Sequence, residues 1–254
     1  MPPRFFCSRL PPASLSEPAP EERVCTLGAE EAKHARKVLR LSAGAAIEVF
    51  DGDGKVAEAE IIEFVRGGRA EGGSESAVCR VGEVREVSAT RPRLTVASSV
   101  PKGPRAEAMV NQLGQLGADV FVPMRSDRSV VEPGGGKVER YAKASLAATK
   151  QSGRAWTMAV EPTVRLEEIL DRPAELRLIL DPGGAALPNL GERLNETEDV
   201  VLLVGPEGGW TEEELAKAEA ASFTRWRMAE YVLRIETAAT AAVSILRYAA
   251  TAKH

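Results

Sequence analysis

Residues 199–242 read DVVLLVGPEGGW, then TEEELAKAEAASFTRW, then RMAEYVLRIETAATAA. The apolar run Val200–Val204 has the length of a strand buried on both faces, and it ends directly in glycines. Thr211, followed three residues later by Glu214, is a helix-start signature and predicts a helix over Thr211–Ala221. A short strand is expected at Phe223–Met228 and a final helix over Thr237–Ala250. Both intervening loops then leave the carboxyl ends of neighbouring strands, where open α/β sheets bind ligands. Glycines let backbone approach a ligand closely, so Gly205-Pro206-Glu207-Gly208-Gly209 is either a ligand loop or a plain strand-to-helix turn. It lacks the Lys and Ser/Thr of a phosphate P-loop, and the chain holds no GxGxxG. At the mouth of the last helix, Glu236 either complements the helix dipole or serves chemistry, and Arg234 either pairs with it or faces a substrate.

Upstream, the same alternation of strands and helices extends back to about residue 92. Strands are expected at Leu94–Ser98, Asp119–Met124 and Leu176–Leu180, and helices at Glu107–Leu116 and Val138–Gln151. Met109, Val110, Leu113 and Leu116 fall at helical spacing. This order implies a largely parallel sheet with helices on both faces. Residues 1–85 look different. Ala46–Phe50, Asp51-Gly52-Asp53-Gly54 and Lys55–Phe64 form a hairpin signature, because Asp-Gly supplies the positive φ of a tight turn. Val78–Val87 reads as another strand, Gly28–Leu41 as a short helix, and Gly67-Gly68 with Gly72-Gly73 as a hairpin tip. A small barrel is the economical way to bury such strands. Pro11–Pro20 reads as a loop.

Composition narrows the function classes. The chain has 254 residues, 44% hydrophobic and 28% charged, as expected of a globular protein of one or two domains. No apolar run approaches the roughly 18 residues of a membrane helix, and no partner membrane is expected. The three cysteines are widely spaced without a CxxC, which reads as reduced thiols in a cytoplasmic protein. With only His34 and His254, metal chemistry is not expected.

The net charge of −4 argues against a general nucleic-acid coat, yet the charge is uneven. Lys33, Arg36, Lys37 and Arg40 cluster with no acid between them, and Arg125–Arg154 holds seven bases against three acids. Such a face suits local grip on a polyanion, or is simply a solvated helix surface. Lys102 and Arg105 flank Gly103-Pro104 at a loop-to-helix junction that suits phosphate binding or a solvated turn. Gln151 and Arg154 end a basic helix with Gly153 as its C-cap. Arg4 and His34 are each either an RNA contact or part of a strand edge or helix surface.

Taken in order, Arg4-Phe-Phe, HARKVLRL (34–41), VFDG (49–52), PKGPRAEAMVNQLGQLGA (101–118), Arg128-Ser-Val-Val131, QSGR (151–154), VGPEGG (204–209) and VLRIETAATAA (232–242) resemble the RsmE family of 16S rRNA uridine-N3 methyltransferases. The resemblance spans nearly the whole chain. It implies a PUA-like β-barrel over residues 1–88 that binds RNA, then a SPOUT α/β domain over 89–254 whose C-terminal trefoil knot binds S-adenosylmethionine. Such knots are exceptions to the unknotted rule. It also implies a homodimer acting on the 16S rRNA of the small ribosomal subunit.

On that template the cofactor lies among three loops. These hold Leu180, Pro182 and Gly183; then Leu203, Val204, Gly205, Pro206, Glu207, Gly208 and Gly209; then Met228, Val232 and Leu233. RNA contacts fall to Arg4, Lys33, His34, Arg36, Arg40, Lys102, Arg105, Arg128, Gln151 and Arg154. Methylating N3 requires an unpaired base and loss of its proton. Arginine suits the developing anion, which makes Arg234, with Arg4 or Arg40, the catalytic candidates. Glu236 orients an arginine or assists proton removal, with Glu207 as second choice. The chain departs from the family pattern at Gly114-Gln115, where Thr-Glu is usual, and at Ala229-Glu230, where Ala229 replaces a glycine. Two other readings remain: a SPOUT methyltransferase with a different RNA target, such as a ribose 2′-OH, or a non-catalytic RNA-binding or ribosome-assembly protein.

Overall fold

The computed structural model describes residues 2–12, 23–67, 74–131 and 133–251. Most of the Pro-rich loop, together with Gly68, Gly72, Gly73, Glu132 and His254, lies outside the described residues. The chain divides into two compact units, Met1–Ala89 with Gly153–Trp156, and Thr90–Ser152 with Thr157–His254.

In the first unit, strands β1 (Arg4–Phe6), β2 (Val24–Leu27), β3 (Ala46–Phe50), β4 (Lys55–Arg66) and β5 (Glu75–Glu86) form one sheet in the order β1-β3-β4-β5-β2. The expected hairpin is β3–β4, turned through Gly52 and Gly54 at φ 83° and 101°. The edge strands approach through a side chain: Cys7 Sγ, just past β1, lies 3.5 Å from the carbonyl of Thr26 in β2. The expected helix over 28–41 is shorter and irregular. Helix α1 (Ala29–Lys33) runs into a π-helical turn at His34–Val38. There Leu39 N–H bonds to His34 O and Leu41 N–H to Ala35 O, so the spacing loosens beyond four residues. The core beneath is Phe5, Ile47, Val49 and Ile61 with the three buried thiols Cys7, Cys25 and Cys79. Cys25 and Cys79 face each other across β2 and β5.

Residues 153–156 join this unit from far along the chain. The Trp156 indole donates to Val87 O at 2.7 Å and fills the space above Gly54, where a Cβ would sit 2.5 Å from the ring. Nothing in the local sequence signals this contribution.

The second unit carries β6 (Arg93–Ser98), α2 (Arg105–Leu116), β7 (Val120–Arg125), α3 (Gly135–Ser152), β8 (Ala159–Val160), β9 (Val164–Arg165), α4 (Leu166–Leu170), β10 (Leu176–Ala185), α5 (Leu190–Asn195), β11 (Asp199–Val204), α6 (Glu212–Ala220), β12 (Thr224–Trp226) and α7 (Ile235–Thr251). Its sheet is parallel in the order β12-β10-β11-β6-β7-β8. The period of two in β11 explains the layering. Val200, Leu202 and Val204 join α2, α5 and α7 on one face; Val201 and Leu203 join α4 and α6 on the other. Each fully buried side chain of this kind contributes roughly 1.5–3 kcal/mol. At the far end of α7, Arg247 ties the helix to Gly117 O, Pro92 O and Asp119.

Gly114, one of the departures from the family pattern, is buried, and a Cβ there would lie 3.0 Å from Ala148 Cβ, so its bareness sets how closely α2 and α3 pack. No helix among the described residues is long and apolar enough to cross a membrane.

Candidate functional site

The five apolar residues of β11 end at Gly205, and the chain turns because it must. A Cβ on Gly205 would stand 2.8 Å from the Trp210 ring, and Gly209 adopts φ 69°. Trp210 folds back so that its indole N–H donates to Leu180 O in β10, 2.9 Å away. The loop is held from the turn after β7 as well. Arg128 donates from Nη1 to Gly208 O at 2.9 Å and Trp210 O at 3.2 Å. The turn bearing Arg128 is fixed by mutual contacts among the hydroxyls of Ser99, Ser126 and Ser129 at 2.9–3.3 Å.

After the loop, α6 begins with the expected capping box. Glu214 N–H donates to Thr211 Oγ1 at 3.1 Å, and Thr211 N–H returns to Glu214 Oε2 at 2.8 Å. The other oxygen of the buried Glu214 accepts from Asp127 N–H at 2.8 Å. The carboxylate therefore satisfies a cap, worth about 1 kcal/mol, and also pins the Arg128 turn.

Within β10, Asp181 takes a close pair of contacts from Arg225, Nε at 2.7 Å and Nη2 at 2.6 Å. The hydrogen bond to Asp181 holds the Arg225 guanidinium above its usual pKa. Gly184 passes so close that a Cβ would lie 2.6 Å from Arg225 O. The third loop, between β12 and α7, is fastened at its start by Arg227 N–H to Ala185 O at 2.9 Å. Beyond that, Tyr231 and Val232 are 76% and 80% exposed.

These three loops enclose a cavity of about 390 Å³, a size suited to a small-molecule ligand. Leu180, Pro182, Gly183, Val204, Gly205, Pro206, Glu207, Gly209, Met228, Val232 and Leu233 line it, all from the expected cofactor loops. Leu203 instead sends its side chain into the core on the opposite sheet face, and Gly208 lies against Arg128. Sequence reasoning missed Asp181, Trp210, Arg225, Trp226, Ile235 and Ala238 in the same wall. Trp210 directly follows the glycine loop, and its bulk beside Gly205 was the available signal. Of the departures, Ala229 lines the cavity while Glu230 is exposed.

The catalytic candidates separate. Arg234 is exposed, its carbonyl accepting Ala238 N–H in the first turn of α7. Glu236 pairs not with Arg234 but with Arg105, Nη1 to Oε1 at 3.2 Å. Its other oxygen, Oε2, is buried with no hydrogen-bond partner.

Arg4 has a different task from the one expected. Its guanidinium is bonded to Glu48 and to Arg154 O, and lies 4.5 Å from the Phe50 ring centre with the side chain 9% exposed. That occupancy knits the first unit and leaves little for a base or a phosphate. Arg128 likewise braces the glycine loop. Arg36 pairs with Glu75 and sits over Phe64. Lys33, His34 and Arg40 are exposed on the first unit, as are Lys102 and Gln151 on the second; Arg154 is half-buried. Among the described residues, no group of three or more His, Cys, Asp or Glu could hold a metal ion.

Comparison with known proteins agrees with this geometry. Residues 89–247 match the family model of an RNA methyltransferase domain, and residues 27–63 that of an RNA methyltransferase PUA domain. The chain is 30% identical to the ribosomal RNA small subunit methyltransferase E of Synechocystis sp., over 89% of its own length and 74% of that protein's. It is 28% identical to the Mycobacterium bovis protein of the same name, covering 87% and 84%. Among solved structures, the Neisseria gonorrhoeae ribosomal RNA small subunit methyltransferase E bound to S-adenosylmethionine superposes with a TM-score of 0.82 at 25% identity over 98% of both chains. A Legionella pneumophila methyltransferase with bound S-adenosylmethionine gives 0.80 at 25% identity, also over 98% of both.

Proposed function

Because the chain belongs to the ribosomal RNA small subunit methyltransferase E family of S-adenosylmethionine-dependent 16S rRNA methyltransferases, we propose that it methylates N3 of one uridine in the small ribosomal subunit. The observation that carries the reading is the cavity at the ends of β10 and β11, with bare backbone at Gly205 and an indole lid at Trp210. Its walls fit the cofactor. Apolar Leu180, Val204 and Leu233 suit a purine, and the exposed carboxylate of Glu207 suits a cationic group. When bound, the cofactor supplies an electrophilic methyl group.

The protein's own residues then have three tasks. They must hold an extruded uracil, remove the N3 proton and stabilise the resulting anion. Arg234, exposed beside cavity residues Leu233 and Ile235, is the anion-stabilising group. Glu236 orients Arg105 through one oxygen, and its carboxylate is the group that assists removal of the N3 proton. Arg40 is the arginine contributed by the PUA unit, with Lys33, His34 and Gln151 as further RNA contacts. Two features of the sequence reading belong to the same proposal. A trefoil knot is supported by the strand order β12-β10-β11, which requires the chain to cross β10 between β11 and β12. A homodimer is supported by the exposed Tyr231, Val232, Ile245 and Tyr248. A cytoplasmic location follows from the substrate.

The test is mass spectrometry of 16S rRNA fragments from cells with and without the gene. One methyluridine should vanish on deletion and return with the wild-type chain, but not with Arg234→Ala, which should fold and bind cofactor normally. An unchanged modification profile rejects the target.

A further inference from the structure

A second recess in the methyltransferase unit is not used by the chemistry above. It has a volume of about 470 Å³ and lies between the loop after β6 and the start of α3. Lys102, Gly103 and Glu107 line it from one side, and Lys137, Arg140 and Tyr141 from the other. We propose that this recess is a binding subsite for a backbone phosphate of the RNA substrate, a reading that rests on the rRNA assignment above for the identity of the polyanion.

Three independent observations converge there. The first is charge. Three cations meet one carboxylate, and that carboxylate, Glu107, lies 3.5 Å from Arg140. Lys102 and Lys137 take part in no ion pair among the described residues. The second is backbone. The opening turns of α2 and α3 both contribute to the lining, so two helix N-termini bring partial positive charge to one place. The third is a buried donor. Tyr141 is only 2% exposed, with its ring edge-on to Phe121 at 6.1 Å, yet the residue lines the recess and its hydroxyl has no partner among the described residues. The side chain is held by its buried ring while the hydroxyl keeps its donor capacity for a phosphate oxygen in the recess. Burial raises the phenol's pKa, so it remains a donor at neutral pH.

The recess is also linked to the reacting end. Its loop, Pro101–Pro104, leads directly into Arg105, which bonds Glu236 between the cofactor-cavity residues Ile235 and Ala238. A phosphate seated there would anchor the strand that presents the uridine. Contacts of this kind position the substrate without reading its sequence.

The test uses the full chain and a uridine-containing single-stranded oligoribonucleotide, with binding followed by fluorescence anisotropy from 50 to 300 mM salt. For K102Q/K137Q, affinity at low salt should fall roughly tenfold, and the log–log salt slope should become shallower by about 0.7, the contribution of one single-strand phosphate contact. Tyr141→Phe should weaken binding about threefold with the slope unchanged, because it removes a neutral donor. Calorimetric binding of S-adenosylmethionine should be the same in all three proteins, which establishes folding. An unaltered slope in the double variant, or no binding of the oligonucleotide by the wild type, overturns the subsite. A wild type that methylates no 16S rRNA, with the slope still shifted in the variant, would instead sink the target assignment and support the subsite.

Discussion

The two loops that follow β11 and β12 line the same cavity but are built in opposite ways. The first, Gly205–Trp210, is braced at three points: Trp210 reaches Leu180 O in β10, Arg128 of the turn after β7 holds two of its carbonyls, and Glu214 of α6 secures its exit. The second, from Arg227 to Arg234, is fastened at its first residue by Arg227 N–H and then presents Tyr231 and Val232 to solvent. One loop is formed by the chain alone. The other leaves its apolar side chains exposed to solvent. Preorganisation therefore resides in the first loop and adaptability in the second.

The contrast can be broken most severely at Gly205. Gly205→Val places methyl groups where the Trp210 ring stands, so the calorimetric affinity for S-adenosylmethionine should fall by at least about a hundredfold. Binding at wild-type strength would show that the first loop is not rigid. Arg128→Ala removes hydrogen bonds to two carbonyls, each worth about 1 kcal/mol or less at this exposed position, and should weaken cofactor binding about tenfold with little change in melting temperature. A loss confined to RNA affinity would return Arg128 to the role its sequence suggested. The smallest effect on the chain itself should come from Val232→Ser. Its unfolding free energy should stay within about 0.5 kcal/mol of the wild type, as for an exposed site. Sedimentation should nonetheless show a weaker dimer. A marked drop in stability would mean that the second loop is packed within its own chain.

The same contrast explains what could be read from the sequence. The first loop is a local construction: Val200–Val204, the glycines and the Thr211–Glu214 box are contiguous, and each constrains the next. The strands and helices around it follow from periodicity in the same way. Glu236 shows the limit. Its partner, Arg105, lies 131 residues away, and no local pattern distinguishes it from Arg234, two residues off. Arg4 and Arg128 looked like free cations because their partners, Glu48, Arg154 O and the loop carbonyls, are equally remote. Short elements such as α4 at Leu166–Leu170 and β8 at Ala159–Val160 escaped because they are too short for a period to repeat.

Trp156 has a consequence for how this architecture can be taken apart. Its indole caps Gly54 and bonds to Val87 O, so the PUA unit is completed by a residue encoded nearly seventy positions after that unit otherwise ends. No single cut in the gene releases it whole. A graft of residues 1–88 onto another enzyme would carry an open notch above the Asp-Gly turn, and inheritance would tend to keep both halves together. The protein is two units in space but one indivisible module in heredity.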